Sequence, residues 1–138
     1  MLTNFEKVCE FNNAMGGAKN IDTQLKLIAE EFAELFMEVP TAVFAMREEH
    51  RLPKDEVAEC VGALAKEAVD LLYVTYGLLQ LLEINADCAF SKVHKSNMSK
   101  LGEDGKPIKR VDGKILKGPD YEPVDPIKLF ETCKEQRT

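Results

Sequence analysis

Apolar residues recur along this chain at intervals of three and four, the spacing that lays a stripe down one side of an α-helix. The first such stretch carries Phe5, Val8, Cys9 and Met15, with Asn4 placed to cap it and Gly16-Gly17 placed to end it. The second starts at Asp22 as N-cap and shows Leu25, Ile28, Phe32, Leu35, Phe36 and Val39 on one face, until Pro40 breaks or kinks it. From Thr41 to Arg51 the pattern fits either a further helical piece or an irregular connection. Pro53 then suits the first turn of the longest helix, about Lys54 to Leu82, with Asp55 and Glu56 near its positive end. Between Ala68 and Leu82 this helix is apolar nearly all round, which suits the centre of a bundle or a subunit interface. Asn85 or Asp87 starts another helix, to about Ser99. Beyond Leu101 the periodicity is lost.

That tail predicts a small β-hairpin, Ile108 to Val111 and Ile115-Leu116, because Asp112-Gly113 favours the tight turn between such strands. Gly118-Pro119 closes it, Asp125-Pro126 caps a short last helix with Ile127, Leu129 and Phe130, and the final residues should fray. The expected fold is therefore all-α: a bundle of four or five helices with a short hairpin or irregular C-terminal appendage. It forms a single domain over residues 1–138, with the chemistry-bearing helices at about 22–100 and the hairpin and tail at 101–138.

Composition narrows the function. At 138 residues, 45% apolar and 30% charged, the chain can bury one core. Its net charge of −6 argues against coating a nucleic-acid polymer, which needs a basic stripe. No run is long enough to span a bilayer and no secretory signal is visible, so the chain reads as cytoplasmic. The cysteines Cys9, Cys60, Cys88 and Cys133 have no zinc-like spacing and are expected as reduced thiols, each a small core hydrophobe.

The uncomfortable residues are acids in apolar surroundings. Asp70 sits between Val69 and Leu71-Leu72, with Glu67 one helical turn before it. Glu30, Glu31 and Glu34 are interleaved with Ile28, Phe32 and Leu35 on the second helix. Burying an unpaired carboxylate costs several kcal/mol, so such groups must be paired, protonated or metal-bound. Lys66, four residues before Asp70, is the obvious ion-pair partner, but it is one cation among several acids, and no arginine occurs from Leu52 to Lys109. An all-carboxylate set suits a hard divalent cation, Mg²⁺ or Mn²⁺, and such ions are commonly completed by substrate phosphates.

The pattern Glu30-Glu31-x-x-Glu34 with Glu67-x-x-Asp70 resembles the paired acidic motif of the all-alpha nucleoside triphosphate pyrophosphatases, the MazG-like superfamily, which also includes dimeric dUTPases and phosphoribosyl-ATP pyrophosphatases. Ser96-Asn97-Met98-Ser99-Lys100-Leu101 is similar to the segment these proteins place beside the substrate, and Lys117-Gly118-Pro119-Asp120-Tyr121 resembles the tail of phage and bacterial members. The resemblance spans about residues 5 to 121, and the stretch Leu35 to Lys66 is longer than in the most compact members.

The resemblance implies Glu31, Glu34, Glu67 and Asp70 as ligands of two or three Mg²⁺ ions per site, with Mn²⁺ able to substitute. Glu30 would be a further ligand, or the base that orients the attacking water. Asn97 and Lys100 would touch phosphate or sugar, with Lys117 and Lys95 weaker candidates, while Phe11, Asn12 and Met15 are candidates for a base pocket, although an apolar stripe on a first helix is usually core. The implied reaction takes a nucleoside triphosphate to its monophosphate and pyrophosphate, in a homodimer or a dimer of dimers. The phage subfamily called MazZ acts on dGTP and GTP, which favours a purine substrate and, for a phage-encoded chain, the host cytoplasm. Phosphoribosyl-ATP is the alternative substrate. A non-enzymatic helical module, whose acids bind metal or a basic partner, is the alternative outside enzymes.

Overall fold

The structure is a computed structural model, and it describes residues 1–17 and 20–134. Five helices and no strand occur among them: α1 (Asn4–Ala14), α2 (Ile21–Arg47), α3 (Lys54–Leu81), α4 (Ala86–Met98) and α5 (Pro126–Cys133). They fall into two compact units, Met1–Leu82 and Glu83–Thr138. The expected fraying of the last residues lies outside the described part.

The first unit is built on α2 and α3. Gln24 meets Val74 and Gly77, while Glu31 meets Glu67 and Asp70, so the two helices run antiparallel in one constant register. The N-caps shift by a residue or two from those expected. Thr3 caps α1 in a reciprocal box with Glu6, and Asn20 caps α2 by accepting from the Thr23 amide. Gly16 and Gly17, with φ of 97° and 93°, turn the chain out of α1.

Of the two outcomes expected at Pro40, a break or a kink, the break does not occur: α2 continues through it. A proline inside a helix costs about 3 kcal/mol, largely through a lost backbone bond and a ring clash. Here Ala42 and Ala45, 0% and 1% exposed, are buried beyond it in the chain and offset part of that cost, at about 0.8 kcal/mol per methyl. The stretch after Pro40 is therefore the last part of one long helix. Helix α1 packs on α3 through Phe5 and Val8, with ring contacts from Phe5 to Tyr76 and from Phe11 to Tyr73.

In the second unit α4 and α5 are joined covalently. Cys88 and Cys133 form a disulfide, their Cα atoms 5.5 Å apart, which overturns the expectation of reduced thiols for these two; Cys9 and Cys60 are not disulfide-bonded. A separation of 45 residues carries no pairing signal in the sequence; the packing of α5 on α4 brings the two together. The Asn85 amide donates to the Cys133 carbonyl at 2.8 Å beside it.

The expected hairpin is present only as a chain reversal. The Leu116 amide donates to the Ile108 carbonyl, the Arg110 amide to Lys114, and Gly113 takes φ of 84° in the turn, but only the single bridge Lys109–Ile115 forms. Val111 and Ile115 stay exposed, so no apolar face exists on which a ladder could lengthen.

Candidate active site

The acids converge in the first unit. Glu31 on α2 and Glu67 and Asp70 on α3 each offer a carboxylate oxygen within 4.8 Å of the others. Glu67 and Asp70 lie one turn apart on α3, and the antiparallel register carries Glu31 across to them. Glu34, one turn beyond Glu31, is exposed and outside that group of three, yet its charge is felt at Glu31. Glu30 is exposed and also outside the group.

Burial pushes the Glu31 carboxyl above its ordinary value of 4.5, and the negative charges of Glu34, Asp70 and Glu67 push it further the same way. The Lys66 ammonium donates to Asp70 at 2.7 Å and to Glu67 at 2.9 Å, and these bonds hold its proton more tightly than usual. The pairing of Lys66 with Asp70 expected from the sequence is thus present. Its geometry changes the emphasis between the two acids: the Asp70 side chain is 37% exposed, so Glu67, at 13%, is the more buried group. One oxygen of Glu67 accepts from Lys66, whereas the other, Oε2, is buried without a hydrogen-bond partner.

Such an orphaned carboxylate oxygen is costly to bury, and it lies in an all-oxygen donor set of the kind Mg²⁺ and Mn²⁺ select. The residues fit a hard divalent cation. The lone ammonium of Lys66 compensates only part of the charge of Glu31, Glu67, Asp70 and the neighbouring Glu34.

One to two turns along the same helix faces lies a cleft of about 370 Å³. Phe11, Met15 and Tyr73 are among its walls, and Asn12 and Gln24 supply amides. Gln24 is 6% exposed, and its Nε2 donates to the Val74 carbonyl at 2.7 Å. Gly77 gives it room: a Cβ there would stand 2.7 Å from that Nε2. Asn12 donates to Gln80 Oε1 at 2.6 Å. The sequence had marked Phe11, Asn12 and Met15; it missed Gln24, Tyr73 and Gly77. The available signal was Gln24, a polar residue in register with Leu27, Ile28 and Glu31.

The substrate-side candidates beyond α3 belong to the second unit. Lys100 Nζ donates to Asn97 Oδ1 at 2.7 Å and lies 6.0 Å from the Tyr121 ring centroid, while Lys117 Nζ sits over that ring at 4.6 Å. Asn97, Lys100 and Lys117 therefore form one local group. Gly118 makes it possible, because a Cβ there would come within 2.2 Å of the Leu101 carbonyl oxygen. Lys95 is exposed on α4.

The acidic cluster is thus shared between two antiparallel helices of an all-α fold. A family model described as phosphoribosyl-ATP pyrophosphohydrolase matches residues 8–97, well over half of the 138-residue chain. The chain belongs to that family, a member of the all-alpha NTP pyrophosphatase superfamily. The match takes in α2, α3 and most of α1 and α4, with all three converging acids inside it. No curated protein matches the chain. No helix among the described residues is long and apolar enough to cross a membrane.

Proposed function

We propose that this chain is a metal-dependent pyrophosphohydrolase that cleaves a purine nucleoside triphosphate, free or N-substituted, to the corresponding monophosphate and pyrophosphate. The observation that carries the reading is the convergence of Glu31, Glu67 and Asp70 with the unpartnered Glu67 Oε2 among them. Glu31, Glu67 and Asp70 would hold Mg²⁺ or Mn²⁺, with Glu34 adjoining. When bound, the metal supplies charge neutralisation of phosphate oxygens and a lowered pKa for a coordinated water. The chain's own part is to fix the carboxylates on two rigid helices. Glu30, on the solvent side of the same turn of α2, is the proposed base or further ligand.

The cleft supports a nucleobase beside the acids. Gln24 and Glu31 are seven residues apart, as are Gly77 and Asp70, which at helical rise is about 10 Å, comparable to the reach from a base to the inner phosphates of a nucleotide. Aromatic walls with two amides suit a flat, hydrogen-bonding ring. The family description makes phosphoribosyl-ATP, itself an ATP derivative, the first substrate to test. The cleft gives the second reading, dGTP or GTP, its support.

A second copy of the chain is the proposed cover for the apolar residues this unit leaves in water, among them Phe36 at 62%, Met37 at 76% and Phe44 at 61% exposed. Light scattering of the purified protein tests this, and a monomer at micromolar concentration would count against it.

The deciding experiment is pyrophosphate release from phosphoribosyl-ATP and a panel of ribo- and deoxynucleoside triphosphates with Mg²⁺ or Mn²⁺, run beside Asp70→Asn. Metal-dependent turnover that the variant loses supports the reading and ranks the substrates. Folded protein that turns over none of them overturns it in favour of a non-enzymatic module.

A further inference from the structure

The second unit contains a hollow of about 350 Å³ between α4 and the segment that enters α5. Lys92 and Lys95 line it from α4 and Lys128 from α5, and none of the three has a carboxylate within ion-pair distance among the described residues. Two acids share the lining, Glu122 and Asp125. Asp125 is committed elsewhere, since its Oδ1 accepts from the Ile127 and Lys128 amides as the cap of α5. Three ammonium groups against the two carboxylates of Glu122 and Asp125 leave the concavity one positive charge in excess, a local reversal of sign in a chain of net charge −6.

The walls are fastened on both sides. At one end the Cys88–Cys133 disulfide ties α4 to α5. At the other the buried Ser96 hydroxyl donates to the Glu122 carbonyl at 2.7 Å, and the Glu122 amide donates to Ser99 Oγ at 2.9 Å. A hollow held this way keeps the backbone that carries its lysines in place before a ligand arrives, so only the lysine side chains have to order on binding. Part of it, residues 122–129, lies beyond the stretch that matches the family.

We propose that this hollow is an anion site for a small diphosphate group. Lysine ammoniums offer several donors and no acceptor, so the occupant must be anionic and rich in acceptor oxygens. A diphosphate meets both conditions. It reaches the protein either as free pyrophosphate or as the tail of a nucleoside diphosphate.

The test is calorimetric titration of the full oxidised chain at low salt in EDTA, so that no divalent ion bridges phosphate to Glu31, Glu67 and Asp70. Inorganic pyrophosphate and ADP are titrated separately. The expected result is saturable binding of at least one of them, weakened about tenfold or more in Lys92→Ala/Lys128→Ala with the helical circular dichroism unchanged. Binding of both identifies the diphosphate itself as what is read; binding of ADP alone identifies the nucleotide tail. The single variant Lys95→Glu gives the same weakening if the double variant misfolds. Asp70→Asn leaves the binding intact, which separates this site from the acidic cluster. Absence of saturable binding for both anions, or equal binding by wild type and the lysine variants, overturns the proposal.

Discussion

Gly77→Ala probes the contact between α3 and the cleft in one atom. On an open helix surface the change would stabilise, because glycine is about 1 kcal/mol worse than alanine inside a helix. Here the new methyl would stand 2.7 Å from Gln24 Nε2, closer than a Cβ tolerates, and 3.3 Å from its Cδ, a tight contact. The amide is the far end of a flexible side chain and could swing away, but it is nearly buried and bonded to the Val74 carbonyl. Swinging it breaks that bond and strands buried polar groups, at about 1–3 kcal/mol. The balance is a net loss of roughly 1 kcal/mol, where an open helix would gain about as much. Urea denaturation reads the difference as a lowered midpoint at constant slope. Gln24→Ala in the same background removes the obstacle, so alanine at 77 should then be neutral or stabilising, a coupling of about 1–2 kcal/mol in the double-mutant cycle. Stabilisation by Gly77→Ala alone, or the same loss with and without Gln24, would refute the reasoning. In the activity assay the single variant should raise KM for purine substrates more than it lowers kcat, since it crowds the cleft and leaves the acids untouched.

Three further outcomes follow from the same geometry. Asp70→Asn should lower pyrophosphate release by about a hundredfold or more and remove the rise in melting temperature that Mg²⁺ gives the wild type, and a variant retaining either would exclude Asp70 as a ligand. Glu31→Gln should stabilise the metal-free protein at pH 7 by a few tenths to about 1 kcal/mol and leave it unchanged near pH 4. The sign follows from its raised carboxyl: both states hold the proton well below 4.5, the unfolded chain loses it first as pH rises, and the folded state carries the repulsion in full only above its own higher value. Thermal melts at the two pH values check this, and equal shifts at both would refute it. Cys88→Ser should cost the second unit up to about 4 kcal/mol, the chain-entropy value for a 45-residue loop, read as a lowered urea midpoint; four free thiols in the oxidised, denatured wild type would show that the bond is absent.

Much of this architecture was legible because it rests on periodicity. The five helices follow from apolar spacing and from capping residues at or near their starts, and the converging acids from carboxylates placed where a core stripe should continue. Whether α2 stops at Pro40 or continues past it stayed open, because the anchor beyond it, Ala42 and Ala45, consists of small residues whose near-complete burial no pattern announces. The hairpin was over-read because Asp112-Gly113 sets a turn, whereas a ladder needs an apolar face to rest on. Gln24 and Gly77 were missed together, since each is intelligible only through the other across two helices. The disulfide was hidden by the same kind of distance.

Lys66 shows how the cluster manages its charge. Its ammonium bridges Asp70 and Glu67, the place where a divalent cation would have to bring its own charge. On the proposed reading, metal and ammonium compete for the same two carboxylates, and loading would depend on how readily Lys66, an exposed side chain, swings into water. Removing it with Lys66→Ala should leave the acids with repulsion alone in the metal-free protein, which lowers stability there, and at the same time raise the affinity for Mg²⁺. A stabilising pair with no metal function predicts the first effect without the second. Melting curves recorded across a Mg²⁺ titration separate the two: in the variant the metal-free melting temperature should fall and the half-saturating concentration should fall with it. A half-saturating concentration that rises or stays fixed would mean that Lys66 helps to build the site rather than guarding it.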